Sequence, residues 1–283
     1  ITAIEYQAFY GNQLEEIDIP DGVTVIEPIA FQKNNLKSVN MPDSLTNIGE
    51  GAFAENKITS LELPSSVTTI ENGAFNDNQL PDDQAFIYGR NSDGTIDRTT
   101  IVSYGGAKRE NIQIPNGVIT IGERSFSGSN LSTNYTEGQG IKSITIPDTV
   151  SIIETNAFRN NELTNLIIPD SVTSIGYNAF KNNQIEELTL PEEGILEIKS
   201  DSFGDNQLTE VTIGGGVIKL DKAFYNNPLK KVNLNATLTT DYASYNNSPF
   251  YNMGIEEVVI GDNVTNIPAR IFALNNITKI EIP

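Results

Sequence analysis

The chain has 283 residues, with 37 acidic and 18 basic side chains, a formal net charge of −19, and neither cysteine nor histidine. That charge repels nucleic-acid phosphates and anionic membrane surfaces. Without cysteine there is no disulfide framework and no thiolate chemistry, and without histidine the commonest general base and metal ligand are missing, so no cofactor or metal is expected. No apolar run reaches membrane-spanning length, so direct membrane insertion is not expected.

The stretch Ile58–Gln79 sets a skeleton, I-x-x-L-x-L-P-x-x-V-x-x-I-x-x-x-A-F-x-x-N-x, that runs through the whole chain. Leu61 and Leu63 flank Glu62, and this period of two predicts one strand per repeat. Pro64 ends it, because proline has no N–H and fixes its own φ. Val67 and Ile70 turn inward again. Ala74 and Phe75 set a small residue beside a large one at a tight corner, and the Asn78 amide can satisfy backbone groups in a sharp bend. One such coil cannot bury its apolar edge, but stacked copies share a continuous core.

In chain order, Ile1 and Ile4 match Val67 and Ile70, and Leu14–Asn35 and Leu36–Lys57 are complete repeats. The register then breaks. Between Leu80 and Ile112 the segments Ala85–Gly89 and Thr99–Tyr104 flank the turn signal Asn91-Ser92-Asp93-Gly94, which predicts a hairpin insert over 81–110. A polar, glycine-containing loop is expected over 132–140, and a second loop over 239–249. Gly214-Gly215-Gly216 reads as a turn variant; it lacks the Lys-Ser/Thr of a phosphate loop. Phe9, Phe31, Phe53, Phe75, Phe126, Phe158, Phe180, Phe203, Phe224, Phe250 and Phe272 fall on one repeat column, and of the phenylalanines only Phe86 does not. Such a column reads as a stacked aromatic spine in the core. The chain opens on the second half of one repeat and closes on the first third of another, so it reads as a fragment of a longer chain.

These residues carry a resemblance. The skeleton resembles the BspA-like (Treponema-type) leucine-rich repeat over essentially all 283 residues, and the insert ending V-S-Y-G-G is similar to inserts of its bacterial members. The expected fold is therefore a right-handed leucine-rich-repeat solenoid, a parallel β-strand stack with short turns or 3-10/helical segments. It has about eleven 22-residue repeats, and residues 1–283 form a single domain. The resemblance implies a bacterial cell-surface or secreted protein, an adhesin or host-interaction module, and brings no catalytic residues with it.

The candidate sites follow from residue types. The inserts concentrate aromatic and arginine side chains, which favour interfaces: Phe86, Tyr88, Arg90, Arg98 and Tyr104 in the hairpin, and Tyr242, Tyr245 and Tyr251 near the last loop. The alternative is that these rings simply pack the inserts onto the solenoid. Two outward columns of the strand face, Asp18–Asn40–Glu62 and Glu16–Ser38–Ser60 with their later counterparts, contain no Trp, Tyr or Arg and read first as a solvated face. Residues 91–97 partly resemble a calcium loop, but Gly89 and Thr100 stand where that loop needs acids, so the turn reading is kept. The acidic pairs Glu15-Glu16, Glu186-Glu187 and Glu256-Glu257 point to opposite faces of a strand and do not converge as a hydrolase dyad would. The expectation is a non-enzymatic, monomeric extracellular module that binds a host surface or matrix protein. The alternatives are a passive spacer, or an accessory module of a secreted enzyme whose catalytic domain lies elsewhere.

Overall fold

A computed structural model describes residues 1–128, 138–239 and 247–283. The chain is a parallel β-solenoid of about twelve turns at a spacing of about 22 residues. Among the described residues every named element is a strand, from two residues (Ala3–Ile4) to nine (Ile96–Tyr104). Two compact units are present, one of residues 1–109 with 117–140 and one of residues 110–116 with 141–283.

In the first unit the regular coils 14–35 and 36–57 each hold two strands, not the single strand that the Leu-x-Leu pattern predicted. Glu16–Asp18 pairs in parallel with Ser38–Asn40, and Val25–Ile26 pairs with Asn47–Ile48. The second ladder arises because the Val-x-x-Ile segment is also extended, with its isoleucine buried and its neighbour turned outward. Conversely, the expected strand around Leu61–Leu63 does not form. The next coil offers Pro81–Gln84 there, closed into a turn by the Gln84 N–H on the Pro81 carbonyl. At Leu61 the Gln84 side chain reaches across, accepting from the Leu61 N–H at 3.0 Å.

The aromatic column from Phe31 to Phe250 is fully buried core, whereas the end rings differ from expectation: Phe9 is 40% exposed and Phe272 half-buried, each with a ring on one side only among the described residues. Phe9, Phe31, Phe53 and Phe75 stack at centroid spacings of 5.2 to 5.5 Å with planes within 8°. In the second unit Phe158, Phe180, Phe203, Phe224, Phe250 and Phe272 stack at 5.1 to 5.8 Å. Phe126 is fully buried in the first unit. Spacings near 5 Å match the distance between stacked strands, so the coil repeat itself imposes ring-on-ring contact.

Each corner around a ring is held by backbone in the left-handed region. At most corners the residues two before and two after the Phe have φ near +60°, as at Asn178 and Asn182 around Phe180; Lys222 before Phe224 and Ser248 before Phe250 depart from this. Asparagine tolerates that region better than other non-glycine residues, which accounts for its recurrence. A second asparagine, three residues after the ring, is buried and fully used. Asn56 donates to the carbonyls of Phe31 and Phe53 at 2.9 and 3.0 Å and accepts from the Leu36 N–H at 3.0 Å. Asn78, Asn183, Asn206 and Asn227 repeat these bonds between their own coils. The ladder satisfies backbone groups that a sharp bend would otherwise bury without partners.

Candidate functional site: the hairpin coil

Phe86–Arg90 and Ile96–Tyr104 form an antiparallel hairpin, as the turn signal predicted. It is part of the solenoid. Thr100 and Ile101 pair in parallel with Thr120 and Ile121, where regular coils place their second strand. The hairpin therefore extends a complete coil, and with it the turns number about twelve rather than eleven.

Tyr104 supplies that coil's ring, and its expected role as a partner contact is corrected here. Its side chain is 1% exposed and stacks on Phe126 at 5.1 Å and 20°. Its hydroxyl donates to the Lys108 carbonyl at 3.0 Å, and burial pushes its pKa up to about 12. The signal for this was present: Tyr104 stands 22 residues before Phe126, one repeat length. Phe86 is half-buried against Tyr104 and Phe126, at 5.3 and 6.3 Å, and so anchors the hairpin.

The corner before Tyr104 is two residues shorter than in a regular coil, since two residues lie between Ile101 and Tyr104 and four between Ile70 and Phe75. Asn76 fills the shortfall, although nothing in the sequence reading singled it out. Its carboxamide oxygen accepts from the Ser103 hydroxyl at 2.6 Å and the Tyr104 N–H at 3.1 Å. Its NH2 donates to the Arg124 and Ser127 carbonyls at 2.8 and 2.9 Å. Arg124 reaches past the same coil to ion-pair with Glu50.

The hairpin tip does not stand free. Gly94, at φ +82°, lies so close to the turn before it that a Cβ would sit 3.0 Å from the Ser65 carbonyl oxygen. Asp93 and Asp97 are consumed locally. Each carboxylate accepts from a backbone N–H and a hydroxyl two residues on, at Thr95 and Thr99, which holds both pKa values below the usual range. Among the described residues no group of His, Cys, Asp or Glu could hold a metal ion.

Three hairpin side chains remain at the surface. Tyr88 and Arg90 are half-buried and Arg98 is exposed. Tyr88 pairs with Ile101 and Gly89 with Asp97, so residues 98–100 have no counterparts in Phe86–Arg90 and form a bulge in the hairpin ladder, while Thr100 still pairs with Thr120 on the other side. The Arg98 guanidinium lies over the Tyr88 ring, 5.6 Å from its centroid. Burial raises the Tyr88 pKa and pulls the Arg90 guanidinium below its ordinary value.

The other candidates are less concentrated. Tyr251 is half-buried, and Tyr242 and Tyr245 lie outside the described residues, as does most of the two expected loops. The strand-face columns are exposed at Asp18, Asn40 and Glu62, and with Glu16, Ser38 and Asp43 they border an acidic cleft of about 670 Å³. The acidic pairs meet lysines of neighbouring coils: Glu15 with Lys37 at 2.7 Å and Glu256 with Lys230 at 2.6 Å. Both are exposed, so such pairs register neighbouring coils more than they stabilise them.

The chain matches the family model described as BspA type leucine rich repeat region over residues 2–84, 102–137, 132–248 and 220–283. Among solved structures it is similar to a leucine-rich repeat protein from Bacteroides ovatus, at 19% identity and a TM-score of 0.53, with 100% of this chain and 64% of that one covered. Two further likenesses are a leucine-rich repeat protein from Eubacterium ventriosum (19% identity, TM-score 0.44, 100% and 70% covered) and the pneumococcal vaccine antigen PcpA (14%, 0.49, 100% and 85%). At such identities the Bacteroides likeness shows the fold alone, and the other two carry no argument. No curated protein matches the chain. Leucine-rich repeat proteins are in general non-catalytic and mediate protein–protein interaction, and among the described residues no helix is long and apolar enough to cross a membrane. The family model spans nearly every residue, and the chain belongs to the BspA-type leucine-rich repeat family.

Proposed function

We propose that this chain is a non-enzymatic protein-binding module on the outside of a bacterial cell, with the hairpin surface as its contact region and a host surface or matrix protein as its partner. The family likeness supports the surface location and the binding role. One observation carries the choice of surface: Tyr88, Arg90 and Arg98 are grouped on a bulged hairpin anchored to the core, while the strand-face columns hold no Trp, Tyr or Arg. Arginine and tyrosine dominate binding energy at interfaces, and bulges re-aim side chains at functional sites.

Deleting the whole insert would be a poor test, because it removes Tyr104 from the spine. The double variant Tyr88→Ala/Arg98→Ala keeps the coil. In pull-downs and biolayer interferometry against extracellular-matrix and host-surface proteins, the wild-type chain should retain a partner at about 10 micromolar, and the variant should bind at least tenfold more weakly. A wild-type chain that retains nothing would favour the passive spacer. Equal binding by both chains would move the contact away from the hairpin.

A further inference from the structure

We propose that the Arg90 and Arg98 face of the hairpin receives a carboxylate-bearing segment of the partner protein. The proposal rests on the hairpin's being the contact region and adds the chemistry of what it contacts.

The first observation is an imbalance of pairing. Lysines at 37, 142, 230 and 279 each ion-pair with a glutamate of an adjacent coil. Arg90 and Arg98 form no ion pair among the described residues, although acids outnumber bases two to one. The hairpin's own acids, Asp93 and Asp97, stay ionised but accept from Thr95 and Thr99, and neither forms an ion pair with Arg90 or Arg98 among the described residues.

The second observation concerns Arg90. Its Nε is shut off from solvent and has no hydrogen-bond partner among the described residues. The half-buried guanidinium has lost part of its water without gaining an ion pair; an incoming carboxylate does not reach the closed-off Nε, but it brings neutralising charge to the guanidinium that carries it.

The third is preorganisation. The bulge at residues 98–100 presents Arg98 outward, and the Tyr88 ring beneath its guanidinium holds it there. A cation already fixed in place loses less conformational freedom on binding. The planar fork of arginine matches a carboxylate with two parallel hydrogen bonds. A long polyanion such as a sulfated glycan would meet the chain's net charge of −19 along its length, whereas a short acidic segment need only meet the hairpin, within a screening length of about 8 Å at physiological salt.

Fluorescence anisotropy tests this with three labelled probes: a short peptide alternating Glu and Ser, its Gln–Ser counterpart, and a heparin oligosaccharide of similar length. The Glu peptide should bind wild-type chain, weaken as salt is raised, and lose about tenfold in affinity with Arg90→Gln/Arg98→Gln. The Gln peptide should bind no better than that variant. Arg98→Gln alone, at an exposed side chain, should show part of the loss, which keeps the test valid if Arg90→Gln disturbs the hairpin. Tighter binding of heparin than of the Glu peptide, or Glu-peptide binding indifferent to both arginines, would overturn the proposal. If a partner is captured in the pull-downs through Tyr88 and Arg98 yet ignores Arg90→Gln/Arg98→Gln, the carboxylate chemistry fails while the binding role stands.

Discussion

The Tyr104 N–H donates to the Asn76 carboxamide oxygen at 3.1 Å, and so ties the ring of the hairpin coil to the coil before it. The same Asn76 side chain donates to Arg124 and Ser127 in the coil after. A fully buried amide thus links three consecutive coils at the point where one of them is two residues short. Asn76→Ala removes four hydrogen bonds and should cost about 3 kcal/mol or more, because several buried partners lose their bonds together. Urea unfolding measures it; a cost below about 1 kcal/mol would show that the short corner closes without this side chain.

Tyr104 makes stability depend on high pH. Its folded pKa is raised, by burial first, from 10.0 to about 12. The neutral phenol is favoured in the fold, so its contribution is intact below the unfolded pKa and is lost as pH rises through the folded one. Wild-type stability relative to Tyr104→Phe should fall between about pH 10 and pH 12, by an amount on the order of 2 kcal/mol. Parallel curves for the two chains would mean that the hydroxyl is not buried.

The asparagine ladder should show its worth at a regular coil. Asn183 donates to the Phe158 and Phe180 carbonyls and accepts from the Leu163 N–H. Asn183→Ala leaves that N–H and two carbonyls without these bonds, at an expected cost of about 2–4 kcal/mol in denaturant unfolding.

One position should gain from substitution. Leu274 sits at φ +58° in the column that holds Asn160, Asn182, Asn226 and Asn252, and it is 69% exposed. Leu274→Asn gives up little burial and relieves a left-handed leucine, so it should stabilise by about 0.5–1 kcal/mol. A loss of stability would mean that this side chain packs more than its exposure indicates.

These residues also show what could be read before any coordinates. The 22-residue period exposed the spine, the Asn-x corners and the coil stacking, because each depends on side chains that recur in sequence. The hairpin was readable from Asn91–Gly94, a local turn signal. Three things were not. Tyr104 hides its place because the column is otherwise phenylalanine, although a tyrosine ring stacks as well. The second strand of each coil escaped because two inward residues three apart do not alternate like a strand. The seating of Gly94 on the Ser65 carbonyl, and the unmet Nε of Arg90, depend on what lies opposite in space, which no local pattern encodes.

The most direct measurement is a pair of urea unfolding curves, for Tyr104→Ala and for Arg98→Ala. The first removes a spine ring and should lower stability by about 3–5 kcal/mol, while the second trims an exposed side chain and should stay within about 0.5 kcal/mol of wild type. A Tyr104→Ala chain that unfolds at the wild-type midpoint would contradict the hairpin's being a load-carrying coil of the solenoid with its recognition side chains turned outward.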